Sequence, residues 1–349
     1  MYNDIPKSYK ISTKKLDKSL TYNKYSKAEV LKDLEKNFFS KSIEKTIFWG
    51  GELIISGYID ILYERLFQFF IMDINISNIQ LIDLFYEEFQ HYDKYKSQKK
   101  NDLTDIMNNQ FFRNHTASII CYLTFSSKSK LPTLPKIKPE ELIIKKSKLL
   151  STNLDRIKKY ITKEDHKDII IPLSEILTNL HIKKLRKSVD NCMFWLSWLL
   201  TYEKKYHKNN LICHYTTNVS ELSEKLKNDF TWILWTILLD ISDNKYVLLL
   251  YKLYVRGFNK SKKVKRIYLI VLAFILVINP LPEINYNVPI LLDKYSSIKN
   301  KVIACINLQY KDLLLNKESQ KNIYPSITKE NSPLFSKEVF SNINIDKYI

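Results

Sequence analysis

Glycine is nearly missing from this sequence, which has 4 glycines in 349 residues, whereas about 7% of the residues in an average protein are glycine. The tight turns of Rossmann-like and β-rich folds depend on the positive-φ freedom of glycine, so the scarcity favours a helical protein. The four residues are Gly50, Gly51, Gly57 and Gly257. Their positions fit neither G-x-x-x-x-G-K-[ST] nor G-x-G-x-x-G, which excludes both common phosphate-binding loops.

Cysteine and long apolar runs are also sparse. The four cysteines are widely separated and form no C-x-x-C pair, so a disulfide framework is not expected. The longest apolar run, 267–278, is shorter than the roughly 20 residues that a bilayer span needs. The first fifteen residues lack the apolar segment of a signal peptide. We therefore expect a soluble intracellular protein with no membrane partner.

Arginine is rare although the chain is strongly basic. The formal net charge is +18, yet only six of the 55 basic residues are arginine and the rest are lysine. A positive excess indicates a polyanionic partner. An AT-rich genome also enriches lysine, whatever the protein does. Lysine supplies a point charge rather than a planar fork, so the composition favours non-specific, salt-sensitive attraction to nucleic acid over sequence reading.

Apolar residues recur at helical spacing along most of the chain. Between 28 and 95 they are spaced by three and four, which predicts successive helices. One of these helices is predicted to begin at a cap formed by Ser40 or Ser42 and to end at Ser56-Gly57. Three prolines within 132–139 exclude a helix there. We predict an all-α protein with the following organisation: a polar arm at 1–28, a helical half at 29–131, a Pro/Lys-rich linker at 132–172, a second helical half at 173–316 with a polar insertion at 203–227, and a polar tail at 317–349.

The two halves share a sequence pattern. Residues 41–54 read K-S-I-E-x-x-I-F-W-x-x-x-L-I, and residues 187–200 read K-S-V-D-x-x-M-F-W-x-x-x-L-L, 146 positions later. The same offset carries Leu31 onto Leu177 and Leu34 onto Leu180. Any two buried helices resemble each other to some extent, but the matching register favours a tandem duplication. In this interpretation the large indole rings seat each half in its core.

Few residues are spaced for chemistry. His207, Cys213 and His214, with Cys192, lack the second ligand pair of a zinc site, so we interpret the segment around them as a solvated loop.

Acidic and nucleophilic groups are no better placed. The adjacent Glu87 and Glu88 point to different sides of a helix, as do His115 and Cys121, six residues apart. Asp73 and Asp240 are expected to cap helix ends. We predict no catalytic residue, no metal and no cofactor, and we expect the protein not to be an enzyme.

Aromatic and basic residues offer the better binding candidates. Trp195, Trp198, Trp232 and Trp235 lie in apolar stretches, so we predict that they belong to the core rather than stack on bases. Two basic runs each precede an apolar helix, where they could bind nucleic acid or simply solvate a turn. The candidate nucleic-acid-binding residues are Lys183, Lys184, Arg186, Lys187, Lys262, Lys263, Lys265 and Arg266.

The tryptophan motifs carry a resemblance. F-W-x-x-E-L-x-x-S-G at 48–57, F-W-x-x-W-L-L-x-Y-E at 194–203 and W-x-x-W at 232–235 resemble a family of uncharacterised proteins of giant nucleocytoplasmic large DNA viruses, over about residues 30–310. More locally, residues 41–66 resemble the helical collar segment of MgsA-type clamp-loader-related AAA+ ATPases, where such helices oligomerise. The chain has no Walker motif, so the resemblance implies an assembly module without ATP hydrolysis.

Together these features suggest a non-catalytic helical interaction protein of viral DNA replication or repair, similar to a clamp-loader collar. Its expected partners are other viral proteins and non-specific nucleic acid, in the host-cell cytoplasm or the viral factory. The alternative is a structural or virion-associated protein with no nucleic-acid role.

Overall fold

The computed structural model describes residues 19–98, 103–143, 149–151, 154–208, 211, 213, 222–279 and 296–319. Helices dominate these ranges, and the only β pairing within them is an isolated bridge between Leu20 and Ser26. The prediction of an all-α fold is confirmed. The predicted arm before residue 19 and the tail after residue 319 lie outside the described residues.

The chain divides into two compact units, and the first combines residues 1–129 with residues 286–349. Its helices are α1 (Lys27–Phe39), α2 (Ile43–Ile55), α3 (Ile59–Asp73), α4 (Leu81–Gln98), α5 (Leu103–Asn108), α6 (Gln110–Phe125) and α13 (Ser296–Ser319). α2 lies at the centre of this unit, because it packs against α1, α3, α6 and α13.

α2 begins and ends where its sequence predicts. Ser42 precedes its first residue and Ser56 follows its last, although the Ser42 side chain makes no capping hydrogen bond. Gly57 then takes a φ of 75°, a left-handed conformation that glycine adopts without steric cost. Ile47, Leu53 and Ile54 are 0–1% exposed, so the periodic apolar face is the buried face.

α13 is held in unit 1 by polar contacts as well as apolar ones. The Arg113 guanidinium of α6 lies 3.7 Å from the centre of the Tyr310 ring and donates to Asn307 Oδ1 at 3.1 Å. Asn307 in turn donates to Asn114 Oδ1 at 2.7 Å, and the Tyr310 hydroxyl donates to Asn108. Arg113 is 4% exposed, and this burial lowers the pKa of its guanidinium to about 10.

The second unit is the continuous stretch 130–285. Its helices are α7 (Ile170–Ile182), α8 (Leu185–Tyr206), α9 (Glu224–Lys227), α10 (Thr231–Asp240), α11 (Lys245–Gly257) and α12 (Lys263–Ile278). The long α8 packs against α7 and α12, and α12 also packs against α10 and α11. The core of the unit therefore lies around α12, where Ile270, Val271 and Phe274 are fully buried.

The division differs from the predicted domains in two respects. α13 belongs to unit 1, whereas the sequence pattern assigned 173–316 to one half. The predicted linker 132–172 is part of unit 2: short 3₁₀ helices at Asp155–Tyr160 and Lys167–Ile169 bury Ile157, Tyr160 and Ile169. Trp198 of α8 also donates to the Glu141 carbonyl at 3.0 Å.

Each unit contains a helical hairpin at the position of the repeated sequence. α1 and α2 pack together in unit 1, and α7 and α8 pack together in unit 2. A lysine with positive φ lies in both turns, Lys41 at 53° and Lys183 at 52°. The hairpins agree with a tandem copy in helix order, but the turn lysines are 142 residues apart rather than 146, so the duplication stays a prediction.

Within the described ranges, no helix is long and apolar enough to cross a membrane.

Candidate functional site

The first predicted basic run lies on the surface at the α7–α8 turn. Lys183, Lys184, Arg186 and Lys187 are all exposed. Lys183 ends α7 in a left-handed conformation, with φ 52° and ψ 30°, and Lys184 precedes the first residue of α8. We name these four residues the basic turn.

The second run is divided between surface and interior. Lys262 and Lys265 are exposed, but Lys263 is 5% exposed and Arg266 is 4% exposed. The Arg266 guanidinium donates to the Leu253 carbonyl at 3.2 Å and lies where a side chain on Gly257 would be. The prediction that Lys263 and Arg266 contact nucleic acid is therefore wrong, because both cations are enclosed by protein.

Lys263 is the centre of a buried ionic cluster. Its ammonium group donates to Glu203 Oε1 and Oε2 at 2.9 and 2.8 Å and to Asp229 Oδ2 at 2.7 Å, and it lies 4.1 Å from the centre of the Phe230 ring. Asp229 Oδ1 accepts from the Thr231 amide at 3.0 Å and from its hydroxyl at 2.7 Å. One ammonium group thus bridges two carboxylates in the interior, and these contacts fix the start of α12 against the end of α8.

The two basic runs do not form one stripe. Lys263 holds the start of α12 at Glu203, whereas Lys187 lies in the first turn of α8. These two positions on α8 are sixteen residues apart, which at about 1.5 Å per residue is about 24 Å. The basic turn and the exposed pair Lys262 and Lys265 are therefore separate surfaces at opposite ends of one helix.

An open cleft of about 790 Å³ borders the basic turn. Its apolar wall is formed by Leu177, Leu180, Ile241 and Val277, and its polar wall by Asp155, Arg156, Lys159, Tyr160, His181, Lys183 and Asp240. All of these residues belong to unit 2. The cleft brings the 3₁₀ helix at 155–160 beside the end of α7, a juxtaposition that the sequence analysis missed.

The carboxylates in the cleft are already matched by lysines. Lys158 lies 2.6 Å from Asp155, and Lys159 lies 2.7 Å from Asp240. The hydrogen bonds from Lys159 and from the Tyr160 hydroxyl hold the pKa of Asp240 below its usual value. Asp240 is therefore an ion-pair partner rather than the predicted helix cap.

Arg156 and Lys183 supply the excess charge of the cleft. Among the described residues no carboxylate forms an ion pair with either of them. His181 also lines the cleft, with its Nδ1 donating to the Leu177 carbonyl at 2.8 Å. The remaining ring nitrogen, Nε2, is available for a further hydrogen bond on this exposed side chain.

The other residues considered for chemistry occupy structural positions. Glu87 is exposed and Glu88 buried, as predicted for neighbours on a helix. Glu88 accepts from the Tyr63 hydroxyl at 2.5 Å and lies 2.6 Å from His115 Nδ1, a pairing that nothing in the local sequence shows. Burial raises the pKa of the Cys121 thiol to about 12, so Cys121 is not activated.

Cys213 and Leu211, the described residues of this stretch, are enclosed rather than solvated. Leu211 and Cys213 are 2% and 0% exposed, and the Cys213 amide donates to the Asn228 carbonyl at 2.8 Å. His214 lies outside the described residues. No group of three or more metal-binding side chains occurs in the part of the chain that the structure describes.

The tryptophans of unit 2 are buried, as predicted. Trp198, Trp232 and Trp235 are each 1% exposed and Trp195 is 8% exposed. Trp49 of unit 1 is only half-buried, and the Tyr25 ring packs edge-on against it at 5.2 Å. Base stacking on the unit 2 indole rings is therefore excluded in this conformation.

Sequence and structure comparisons give no further assignment. No protein-family model, no curated protein and no solved structure matches this chain.

Proposed function

We propose that the protein is a non-catalytic helical interaction protein that binds nucleic acid non-specifically through the basic turn. The observation that carries the proposal is the clustering of exposed, unmatched cations from two segments of unit 2 around one cleft. Lys183 of the basic turn and Arg156 both line this cleft, although the two segments are separated in the sequence, and the exposed Lys184, Arg186 and Lys187 follow Lys183 along the chain.

The position of this charge on α8 supports a binding role. Arg186 and Lys187 lie in the first turn of α8, which contains no acidic residue. A helix N-terminus carries about half a positive charge, so cations there repel the helix dipole, typically at a cost of about 0.3–1 kcal/mol each. Purely solubilising lysines need no such placement, whereas a bound phosphate would relieve the repulsion.

The residue types indicate attraction without sequence reading. Three of the four residues of the basic turn are lysines, which contribute point charges rather than bidentate forks. Such contacts release counterions from the phosphate backbone and weaken steeply with salt. Discrimination between bases needs hydrogen bonds to base edges, and one arginine provides little of this.

The resemblance to proteins of giant nucleocytoplasmic large DNA viruses gives the proposed setting. In that setting the protein is an accessory factor of viral DNA replication or repair, comparable to a clamp-loader collar. It contacts other viral proteins in the host-cell cytoplasm or viral factory.

A salt titration of DNA binding tests the proposal. Binding of a fluorescein-labelled duplex is measured by anisotropy at several salt concentrations for the wild type and a triple variant with Lys184, Arg186 and Lys187 changed to Gln. Each lost phosphate contact should lower the slope of log K against log[salt] by about 1. We therefore expect the triple variant to lose up to about three units of slope.

The exposed lysines at the other end of α8 provide the matched control. A double variant with Lys262 and Lys265 changed to Gln also removes surface charge but lies about 24 Å away, so its slope should stay close to that of the wild type. Absence of binding at low salt, or equal slopes for all three proteins, would contradict the proposal. Enrichment in purified virions without DNA binding would instead support the structural or virion-associated alternative.

A further inference from the structure

We infer that the cleft beside the basic turn is a binding site for a terminal phosphomonoester of a nucleic-acid strand. This inference rests on the proposed function and specifies the ligand of the same region. It concerns the cleft itself, whereas non-specific binding needs only the exposed turn.

The shape of the site favours a strand end. The cleft is a concavity of about 790 Å³, which is within the range of about 300–1,000 Å³ that is typical of small-ligand sites. Leu177, Leu180 and Val277 form its apolar wall. A continuous duplex presents a convex backbone and cannot enter a concavity of this size, but a terminal nucleotide can.

The charges favour a phosphomonoester over a phosphodiester. Asp155 and Asp240 are paired with Lys158 and Lys159, so Arg156 and Lys183 remain as the excess cations. A phosphomonoester carries a charge of about −1.5 to −2 and three acceptor oxygens, whereas a phosphodiester carries a single charge. Two separate cations therefore match the terminal group better than the internal one.

Hydrogen-bond donors in the cleft lining come from two segments of unit 2. Arg156 comes from the 3₁₀ helix at Asp155–Tyr160, and Lys183 and His181 come from the end of α7. A guanidinium binds phosphate oxygens through two parallel N–H donors, and the Lys183 ammonium adds a third contact from the α7 end of the cleft lining.

The helix dipoles do not cancel this charge. The C-terminal residues of α7 and α10 border the cleft, and each helix end contributes about half a negative charge. Arg156 and Lys183 each contribute a full positive charge. The site therefore retains a positive potential before the neighbouring Lys184, Arg186 and Lys187 are considered.

The turn geometry allows the charge of Lys183 to be removed without harming the fold. Lys183 has a φ of 52°, a conformation that costs a non-glycine residue energy and suits glycine. Lys183→Gly should therefore fold at least as well as the wild type. Lys41 has a φ of 53° in the equivalent turn of unit 1, so Lys41→Gly is a matched control that removes one lysine from a turn of the same kind.

The experiment compares oligonucleotide ends. Anisotropy at one salt concentration gives the affinity for a single-stranded 12-mer with a 5′-phosphate, with a 3′-phosphate, with hydroxyls at both ends, and for a 14-mer with hydroxyl ends, whose two additional phosphodiesters match the added charge of up to about −2. We expect at least one phosphorylated 12-mer to bind about 5- to 10-fold more tightly than the 14-mer, as expected for two added charge-assisted hydrogen bonds. The 5′ and 3′ forms distinguish the two possible sources of the phosphate.

The variants separate this inference from the proposed function. Lys183→Gly and Arg156→Met should each reduce the preference for a phosphorylated end to less than 2-fold, and Lys41→Gly should keep it. Equal binding of phosphorylated and hydroxyl ends would overturn the terminal site while leaving non-specific binding intact. Absence of binding to every oligonucleotide would overturn both proposals, and a preference that survives in Lys183→Gly and Arg156→Met would place the site elsewhere.

Discussion

Replacement of Lys263 by methionine tests the buried ionic cluster. Methionine keeps much of the length and apolar contact of the lysine stem but removes the charge that pairs with Glu203 and Asp229. Lys263 and both carboxylates are only 5–7% exposed at their side chains, so water cannot replace the lost ammonium group. Removing one partner of a buried ion pair typically costs about 3–5 kcal/mol. Because Lys263 serves two carboxylates, we expect Lys263→Met to cost about 4 kcal/mol.

Tryptophan fluorescence during urea unfolding is a suitable assay. Four of the five tryptophans lie within 130–285, so the fluorescence transition reports mainly on unit 2, whereas circular dichroism reports on both units. The fluorescence midpoint of Lys263→Met should fall while the part of the helical signal that comes from unit 1 keeps its midpoint.

Lys265→Met is the matched control. Lys265 is on the same helix two residues away and is exposed, so its replacement should change stability by less than about 0.5 kcal/mol. If Lys263→Met unfolded within about 1 kcal/mol of the wild type, or if the two variants behaved alike, the buried cluster would not be an ion pair of this kind.

Thiol reactivity and alkaline stability provide two further predictions. All four cysteines are buried, and burial raises the pKa of the Cys121 thiol to about 12. A disulfide reagent at neutral pH should therefore modify no thiol rapidly in the native protein and all four thiols in denaturant. A fast reaction of the native protein would contradict this burial. The pKa of Lys128 is lowered to about 8, chiefly by burial, while an unfolded lysine titrates near about 10.4. Between these two pKa values the unfolded chain thus binds more protons than the folded protein. The unfolding free energy of the wild type should therefore rise with pH in this range relative to that of Lys128→Met. Parallel curves of unfolding free energy against pH for the two proteins would refute the lowered pKa of Lys128.

The sequence predicted the helices well because their signals are local. The spacing of apolar residues placed α2 correctly, and Ser56-Gly57 ended it. The buried tryptophans of unit 2 were predicted from the absence of charge around them. In each case the evidence lay within one or two helical turns of the residue concerned.

The errors arose where distant partners decide the outcome. Lys263 reads as part of an exposed basic run, but its burial depends on Glu203 and Asp229, 60 and 34 residues away. The placement of α13 depends on contacts such as that between Arg113 and Tyr310. The cleft likewise combines Arg156 with Lys183. No periodicity within a single segment encodes such pairings, so they were not predictable from this sequence alone.

The discontinuity of unit 1 has a consequence for synthesis on the ribosome. Residues 130–285 form a continuous unit that can finish folding as soon as it leaves the exit tunnel. The surface of α2 and α6 that α13 covers stays uncovered until α13 emerges, more than 170 residues after α6 has been made. Nascent chains of this protein therefore pass through a prolonged stage with an open hydrophobic groove, which is a natural point of engagement for chaperones.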